Sequence, residues 1–296
     1  MEFKPGLTDE ELTRMVEISR EAKARMDKTP RSTLSKIVGG LGLIGIGVGI
    51  WMIWHADIWW TLGVLYSSFL VLFIGGWIAP KDPPEVLNDR RFHRLGAECI
   101  APTELRALLG EEIAYDPRGK LPDALVRQAQ VYVRNYHHYR GDQLVRCRYR
   151  GTDLEMGYVH LTDRDHRFRT DIELFEGFCL AAKTGIPFPA EIRVIQNYLS
   201  LFHVTKDVPD AEDFDAMFHG TGLQYLPPEL RGKLAAISRE GPGALGIWLR
   251  PDGQVFVASN GLWPICREDR PPEEWRKKYR RALQQPLEVL DCLLDL

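Results

Sequence analysis

The sequence predicts an α+β protein with an N-terminal amphipathic helix, a two-helix transmembrane hairpin and a cytoplasmic α+β domain built on a mostly antiparallel sheet. Two long uncharged apolar runs, 37–54 and 58–79, lie in the N-terminal part of the chain. Mean hydropathy over all 296 residues is nevertheless −0.23, which indicates that the remainder is a polar, soluble domain. From Gln143 onwards apolar and polar residues alternate, a pattern typical of strands.

Residues 1–36 are predicted to form a cytoplasmic amphipathic helix and a linker. Thr8 and Glu11 have the spacing of a capping box, in which two orphan backbone donors are satisfied reciprocally. Apolar or small residues then recur at helical spacing, at Leu12, Met15, Ser19, Ala22 and Met26. The helix should end before Thr29-Pro30. It is expected to lie on the soluble domain or on the inner leaflet.

The two apolar runs, which together make up 37–79, are predicted to cross the bilayer as a helical hairpin. At about 1.5 Å per residue, each run is close to the roughly 30 Å thickness of the hydrocarbon layer. Only His55, Ala56 and Asp57 separate the runs. Because lipid offers the backbone no hydrogen bonds, segments of this length must be helical.

Glycines in the first run have two interpretations. Gly40, Gly42 and Gly45 have the spacing of a dinucleotide-binding loop, but no buried strand precedes them and no polar turn follows. Gly42, Gly45 and Gly49 instead share one helix face, where small residues allow close packing. The expected partner of that face is the second run, through Gly63, Ser67 and Ser68, or the same helix in another copy of the chain.

Basic residues flank the two runs and predict their orientation. The lysines and arginines on the two flanks are Arg20, Lys23, Arg25, Lys28, Arg31, Lys36, Lys81, Arg90, Arg91 and Arg94. The short connection has none, which places both termini in the cytoplasm. Tryptophans mark the two interfaces, with Trp51, Trp54, Trp59 and Trp60 near the connection and Trp77 at the other end.

Residues 80–270 are predicted to form the cytoplasmic α+β domain, with helices on one face of its sheet and at both flanks. A hairpin is expected in GALGIWLRPDGQVFVAS around Pro251-Asp252-Gly253, and further strands on both sides of the polar turn TDRDHR.

Residues 271–296 are predicted to be a separate C-terminal segment. It would consist of a basic helix that Pro286 breaks from an apolar tail.

Several of these segments resemble a known family. YRGDQLVRCRYRGTDLEMGYVHL, DIELFEGFCLAA, LFHVTKDVPDAEDFDAMF and LGIWLRPDGQVFVAS come in the order seen in a bacterial membrane-protein family called domain of unknown function 3137. The resemblance implies paired N-terminal spans and a cytoplasmic α+β domain with an aromatic-x-Gly-aromatic strand, here Phe175 to Phe178. It implies no activity, and the sequence departs from the family's pattern at 162–169 and near KTGIPFPA.

Composition gives no sign of a cofactor, a structural metal or nucleic-acid binding. The net charge is only −3, which gives no global attraction for nucleic acid. The five cysteines are odd in number and form no CxxC pair, as expected for a reduced cytosolic domain. His160, Asp163, Asp165 and His166 lie close together in HLTDRDH, but turn chemistry explains them better than a metal site does. No metal or cofactor is therefore expected.

No catalytic set stands out in the sequence. If a pocket is assembled from distant residues, its candidate polar members are Asp142, His160 and His203. Basic residues offer a second candidate site, for contact with anionic headgroups or an acidic protein. They are Arg146, Arg148 and Arg150 on one strand face, and Arg276, Lys277, Lys278, Arg280 and Arg281 on the C-terminal helix.

These features together predict a scaffold or interaction protein in the bacterial inner membrane, with two spans and no evident catalytic activity. The alternative is a membrane-tethered enzyme or small-ligand sensor. Expected partners are the bilayer, anionic lipid headgroups, a membrane or cytoplasmic protein, and a second copy of the chain.

Overall fold

The structure is a computed structural model that describes residues 7–27, 30–54, 58–78, 86–131, 136–165, 170–197, 214–260, 266 and 270–296. The chain divides into two compact units. The first consists of Glu10–Asn88. The second consists of Asp89–Leu296 together with the described residues 7–9.

Three helices account for most of the N-terminal part: α1 (Asp9–Asp27), α2 (Pro30–Met52) and α3 (Ile58–Ile78). The predicted N-terminal helix is confirmed, whereas α2 begins at Pro30, before the predicted start of the apolar run. Among the described residues, one helical segment, Thr33–Met52, is long and apolar enough to cross a membrane, judged by length and composition. The corresponding stretch of α3, Ile58–Ile74, is shorter.

Helices α2 and α3 pack antiparallel through the glycine face of α2. A Cβ placed on Gly42 would lie 2.6 Å from Leu72, and one on Gly49 would lie 2.5 Å from Leu65. Between them, a Cβ on Gly45 would lie 2.2 Å from the Oγ of Ser68. The glycines therefore let the two backbones approach closely.

An eight-stranded antiparallel sheet forms the centre of the second unit, so the predicted α+β class is confirmed. Its strands are β1 (Ile113–Asp116), β2 (His138–Tyr149), β3 (Thr152–Asp165), β4 (Thr170–Lys183), β5 (Ile192–Gln196), β6 (Phe218–Thr221), β7 (Ala244–Leu249) and β8 (Gln254–Asn260). They are ordered β1-β2-β3-β4-β8-β7-β5-β6. The predicted β7–β8 hairpin is present, and β2 and β3 are joined by a turn in which Arg150 and Gly151 have φ angles of 49° and 82°.

Helices cover both faces of this sheet, so the prediction of helices on one face is wrong. They are α4 (Asp89–Leu95), a π-helical segment (Gly96–Ile100), α5 (Ala101–Leu109), α6 (Asp123–Ala129), α7 (Phe214–Met217), α8 (Pro228–Glu240) and α9 (Pro272–Leu294). Cys179 of β4 packs in one core with Val126 and Ala129 of α6. Its neighbour Phe178 points to the opposite face, where its ring centre lies 6.1 Å from that of Tyr279 in α9.

The C-terminal segment is part of the domain. Helix α9 continues through Pro286, contrary to the prediction that this proline breaks it. Leu283, Leu287 and Leu290 are buried on both sides of the proline. Burial of each such side chain contributes about 1.5–3 kcal/mol, which offsets the roughly 3 kcal/mol cost of an interior proline.

A polar cleft and an adjacent histidine-carboxylate cluster

Two rows of side chains cross strands β2, β3 and β4 on the face that α9 covers. In the first row, Arg140 is paired with His160, and His160 with Glu176. In the second row, Asp142 is paired with Tyr158, and Tyr158 with Phe178. Directly opposed residues of antiparallel strands share one face, so the structure brings the predicted residues Asp142 and His160 onto one surface. The third predicted member, His203, lies outside the described residues.

A bulge in β2 positions Asp142. The β2–β3 register shifts between Asp142 and Val145, and Gln143 within the bulge has a φ angle of 57°. The buried Gln143 side chain accepts a hydrogen bond of 2.7 Å from the Tyr279 hydroxyl. Its amide group donates one of 3.2 Å to Oδ1 of Asp142. Two hydrogen bonds, one buried and one partly buried, thus connect α9 to this carboxylate.

Helix α4 contributes His93 to the same place. Nε2 of His93 lies 2.6 Å from Oδ2 of Asp142, and the two side chains are 15% and 17% exposed. The His93 ring also packs edge-on against Tyr158, with 5.2 Å between ring centres. Hydrogen bonds from both sides therefore hold Asp142 in one orientation.

A cleft of about 380 Å³ opens beside this pair. Its lining comes from α4, the π-helical segment, the β1–α6 loop and β2, and consists of Arg90, His93, Arg94, Ala97, Glu98, Pro117, Arg118, Arg140, Gly141 and Asp142. Four guanidinium groups thus face two carboxylates. The cleft is cationic although the chain as a whole has a net charge of −3.

The four arginines differ in their partners. Arg94 is held by Glu98, with Nε 2.6 Å from Oε1, and this hydrogen bond raises the pKa of Arg94. Within the described part of the chain, no carboxylate forms an ion pair with Arg90, Arg118 or Arg140. These three exposed guanidinium groups are available to a ligand.

A second cluster adjoins the cleft through Arg140, which is paired with His160. Nε2 of His160 lies 3.7 Å from Oε2 of Glu173, and Tyr158 donates a hydrogen bond to Glu176. One ligand atom from each of His160, Glu173 and Glu176 lies within 4.8 Å of the others. The neighbouring Glu173 carboxylate raises the pKa of His160, and burial raises the pKa of Glu176.

Most residues of the two predicted basic surfaces form ion pairs or hydrogen bonds with other residues of the chain. Arg146 pairs with Glu155 at 2.7 Å, and Arg148 donates to the Gly151 carbonyl. The Arg150 guanidinium pairs with two carboxylates at the end of α9, at 2.9 Å from Asp291 and 2.6 Å from Asp295.

On α9, Arg280 lies 2.8 Å from the buried Glu104, and Arg276 bonds Asp9 and the Leu7 carbonyl at the start of α1. Lys277, Lys278 and Arg281 have no ion-pair partner among the described residues. Contact of this surface with an anionic partner stays a prediction.

The HLTDRDH motif does not assemble as one group. Asp163 of β3 contacts His137, which directly precedes β2, and His166 lies outside the described residues. The cluster around His160 instead takes both carboxylates from β4.

Sequence reasoning missed His93, Arg90, Arg118, Glu173 and Glu176. Arg90, Arg94 and Ala97 do recur at helical spacing, which is a signal for one face of α4. No sequence pattern in α4 or in β2 indicates that this face of α4 packs beside β2.

Comparison with known proteins adds no relative: the chain matches no family model, no curated protein and no solved structure. The resemblance to domain of unknown function 3137 stays a prediction.

Proposed function

We propose that this protein is a membrane-anchored interaction protein whose cytoplasmic α+β domain binds a phosphate-bearing anion in the arginine cleft. In this proposal α2 and α3 both span the bacterial inner membrane, and both termini are cytoplasmic. The observation that carries the proposal is the convergence of Arg90, Arg118 and Arg140, without carboxylate partners among the described residues, on one cleft.

The surfaces of α2 and α3 support the membrane part of the proposal. Large apolar side chains are exposed along both helices, including Ile44 at 66% and Phe73 at 74%. Exposed apolar surface on this scale marks a membrane or protein contact. Trp54 and Trp59, on either side of the connection, are 83% and 81% exposed, as expected for indoles in a headgroup layer.

The chemistry of the cleft supports an anion with several oxygens. A guanidinium group is planar, is always charged and can donate two parallel hydrogen bonds to a phosphate. The cleft volume lies within the roughly 300–1,000 Å³ usual for small-molecule sites. A phosphate monoester or a lipid headgroup phosphate presents the required oxygens.

Binding explains the cleft better than covalent catalysis does. Its described lining contains no hydroxyl or thiol side chain that could act as a nucleophile. Asp142 contacts His93 and Gln143, and it could orient His93 as a base. Without a hydroxyl or thiol beside it, this pair has no such nucleophile to activate. Exposed arginines in a cleft without a hydroxyl or thiol nucleophile suit a scaffold that recognises a phosphate group on its partner.

Thermal unfolding of the full-length protein in neutral detergent tests the proposal. The probe is inorganic pyrophosphate, compared with sodium chloride at equal ionic strength. At a probe concentration of about 100 Kd, binding adds about 2.7 kcal/mol, or roughly 5–10 °C in Tm. The double variant R118Q/R140Q should lose this shift, and K277Q/R281Q on α9 should keep it.

Two outcomes would overturn the proposal. One is equal stabilisation by chloride and pyrophosphate, and the other is an undiminished shift in R118Q/R140Q. Nanodiscs with and without anionic lipid distinguish the source of the phosphate. If the headgroup occupies the cleft, anionic nanodiscs should reduce pyrophosphate binding by the unmodified protein.

A further inference from the structure

The geometry points to a second site: a divalent transition-metal site formed by His160 of β3 with Glu173 and Glu176 of β4. This inference does not depend on the anion cleft. It rests on three potential ligands from two adjacent strands, on the bulge that brings them together, and on the hydrogen bond that orients one of them.

The bulge between β3 and β4 creates the cluster. Strict alternation would put Glu173 and Glu176, three residues apart, on opposite faces of the sheet. The register shifts between Leu161 and Thr162, so that Leu161 is paired with Phe175 but Thr162 with Glu173. The extra residue, Leu174, packs with Phe175 against the core on the other face. Glu173 is thereby returned to the face of His160 and Glu176.

The distances are close to those that a bound ion requires. Metal bonds to imidazole nitrogen and carboxylate oxygen are about 2.0–2.2 Å, so two ligands of one ion lie at most about 4.4 Å apart. The three candidate ligand atoms lie within 4.8 Å of one another, with 3.7 Å between His160 and Glu173. Small side-chain rotations would bring all three onto one ion.

The surroundings match those of a metal ligand set. Tyr158 donates to Oε1 of Glu176, and the Glu176 backbone N–H donates to the Asn260 side chain at 2.9 Å. Partners of this kind orient ligands at known metal sites.

The donor set selects the class of ion. One imidazole nitrogen with two carboxylate oxygens suits Zn²⁺ or Mn²⁺, whereas Mg²⁺ and Ca²⁺ prefer oxygen ligands alone. His160 and Glu176 are partly buried and the Glu173 side chain is 59% exposed. The remaining coordination positions would therefore face solvent.

Direct metal titration of the full-length protein tests the inference. Untagged protein in detergent is stripped with a chelator and titrated with Zn²⁺ by calorimetry and with Mn²⁺ by electron paramagnetic resonance. We expect one ion per chain and no binding of Mg²⁺ at the same concentration. H160N and E176Q should each weaken binding at least 100-fold, and Y158F about 10-fold.

Two controls keep the result interpretable. H137N removes a histidine that also contacts a carboxylate, that of Asp163, and it should bind the ion as the unmodified protein does. E173Q changes an exposed side chain with little risk to folding, so loss of binding in this variant cannot be attributed to unfolding. Failure of the unmodified protein to bind either ion, or unchanged binding in both E173Q and H160N, would overturn the site. The cleft variant R118Q/R140Q should retain the ion, which separates this result from that of the anion experiment.

Discussion

Gly45 of α2 and Ser68 of α3 are in such close contact that a side chain at position 45 would occupy the place of the Ser68 hydroxyl. A Cβ on Gly45 would lie 2.2 Å from Ser68 Oγ and 3.1 Å from its Cβ. Ser68 Oγ in turn donates to the Val64 carbonyl at 2.6 Å. The glycine face of α2 is therefore occupied by α3 within the chain. Of the partners predicted for it, Ser68 lies at this face, whereas a Cβ on Gly63 would have no atom within 4 Å.

Substitution of Gly45 should loosen the α2–α3 pair. G45I introduces a branched side chain at the closest contact and should cost about 1–3 kcal/mol through overpacking. G47I is the matched control, because nothing lies within 4 Å of a Cβ at Gly47. The measurement is SDS titration followed by tryptophan emission, since five of the eight tryptophans belong to α2, α3 and their ends. Equal midpoints for the two variants would contradict this packing.

The proposed topology predicts where reporters will be active. A cytoplasm-specific reporter fused after Leu296 should be active, and a periplasm-specific one should not. The same reporters inserted between Trp54 and Ile58 should give the opposite result, because the basic flanks hold both termini inside. Periplasmic activity from the carboxyl-terminal fusion would contradict two spans with internal termini.

Gly177 is required for the pairing of β4 with β8. A Cβ at this position would lie 1.9 Å from the Ser259 carbonyl oxygen, a backbone atom that can move only with the strand. G177A should therefore lower the free energy of unfolding by about 1–3 kcal/mol or more. G232A, at an exposed site in α8 with no atom within 4 Å, should raise it by up to about 1 kcal/mol. Thermal melts that shift both variants in the same direction would contradict this assignment.

The pH dependence of stability should carry a signature of Glu176. Burial raises its pKa above the ordinary value of 4.5, so folding favours the protonated form and stability is lost as pH rises through the folded-state pKa. His160 acts in the same direction: its pKa is raised above 6.5, and its contribution is lost as pH rises through that higher value. Between pH 4.5 and 8, E176Q should therefore lose less stability than the unmodified protein. Metal-free thermal melts across this range check the difference; parallel curves would contradict it.

Removal of the Tyr279 hydroxyl should destabilise the domain without changing its fold. Y279F deletes a fully buried hydrogen bond of 2.7 Å to Gln143, whose side-chain oxygen would then lack this donor. The expected loss is about 1–3 kcal/mol in denaturant unfolding. Y225F, at a 47% exposed position, is the control and should be neutral.

Short-range patterns in the sequence were enough to predict several elements. The capping box before α1 and the turn between β7 and β8 each predict an element that the structure contains. The short strand β1 lacks such a pattern and was not predicted. The Arg150-Gly151 turn was not predicted either. Both residues have positive φ angles, and an arginine gives no sequence signal for that left-handed conformation.

The candidate sites depended on contacts between residues far apart in the chain. His93 meets Asp142 only because α4 packs beside β2, and Glu173 joins His160 only because of one extra residue in β4. Local periodicity determined the α+β class, the apolar helices and the glycine face of α2, because each follows from spacing within a few turns or strands. Tertiary structure decided the arginine cleft, the histidine-carboxylate cluster and the continuation of α9 through Pro286, because these depend on sheet register and on burial energy supplied by distant segments.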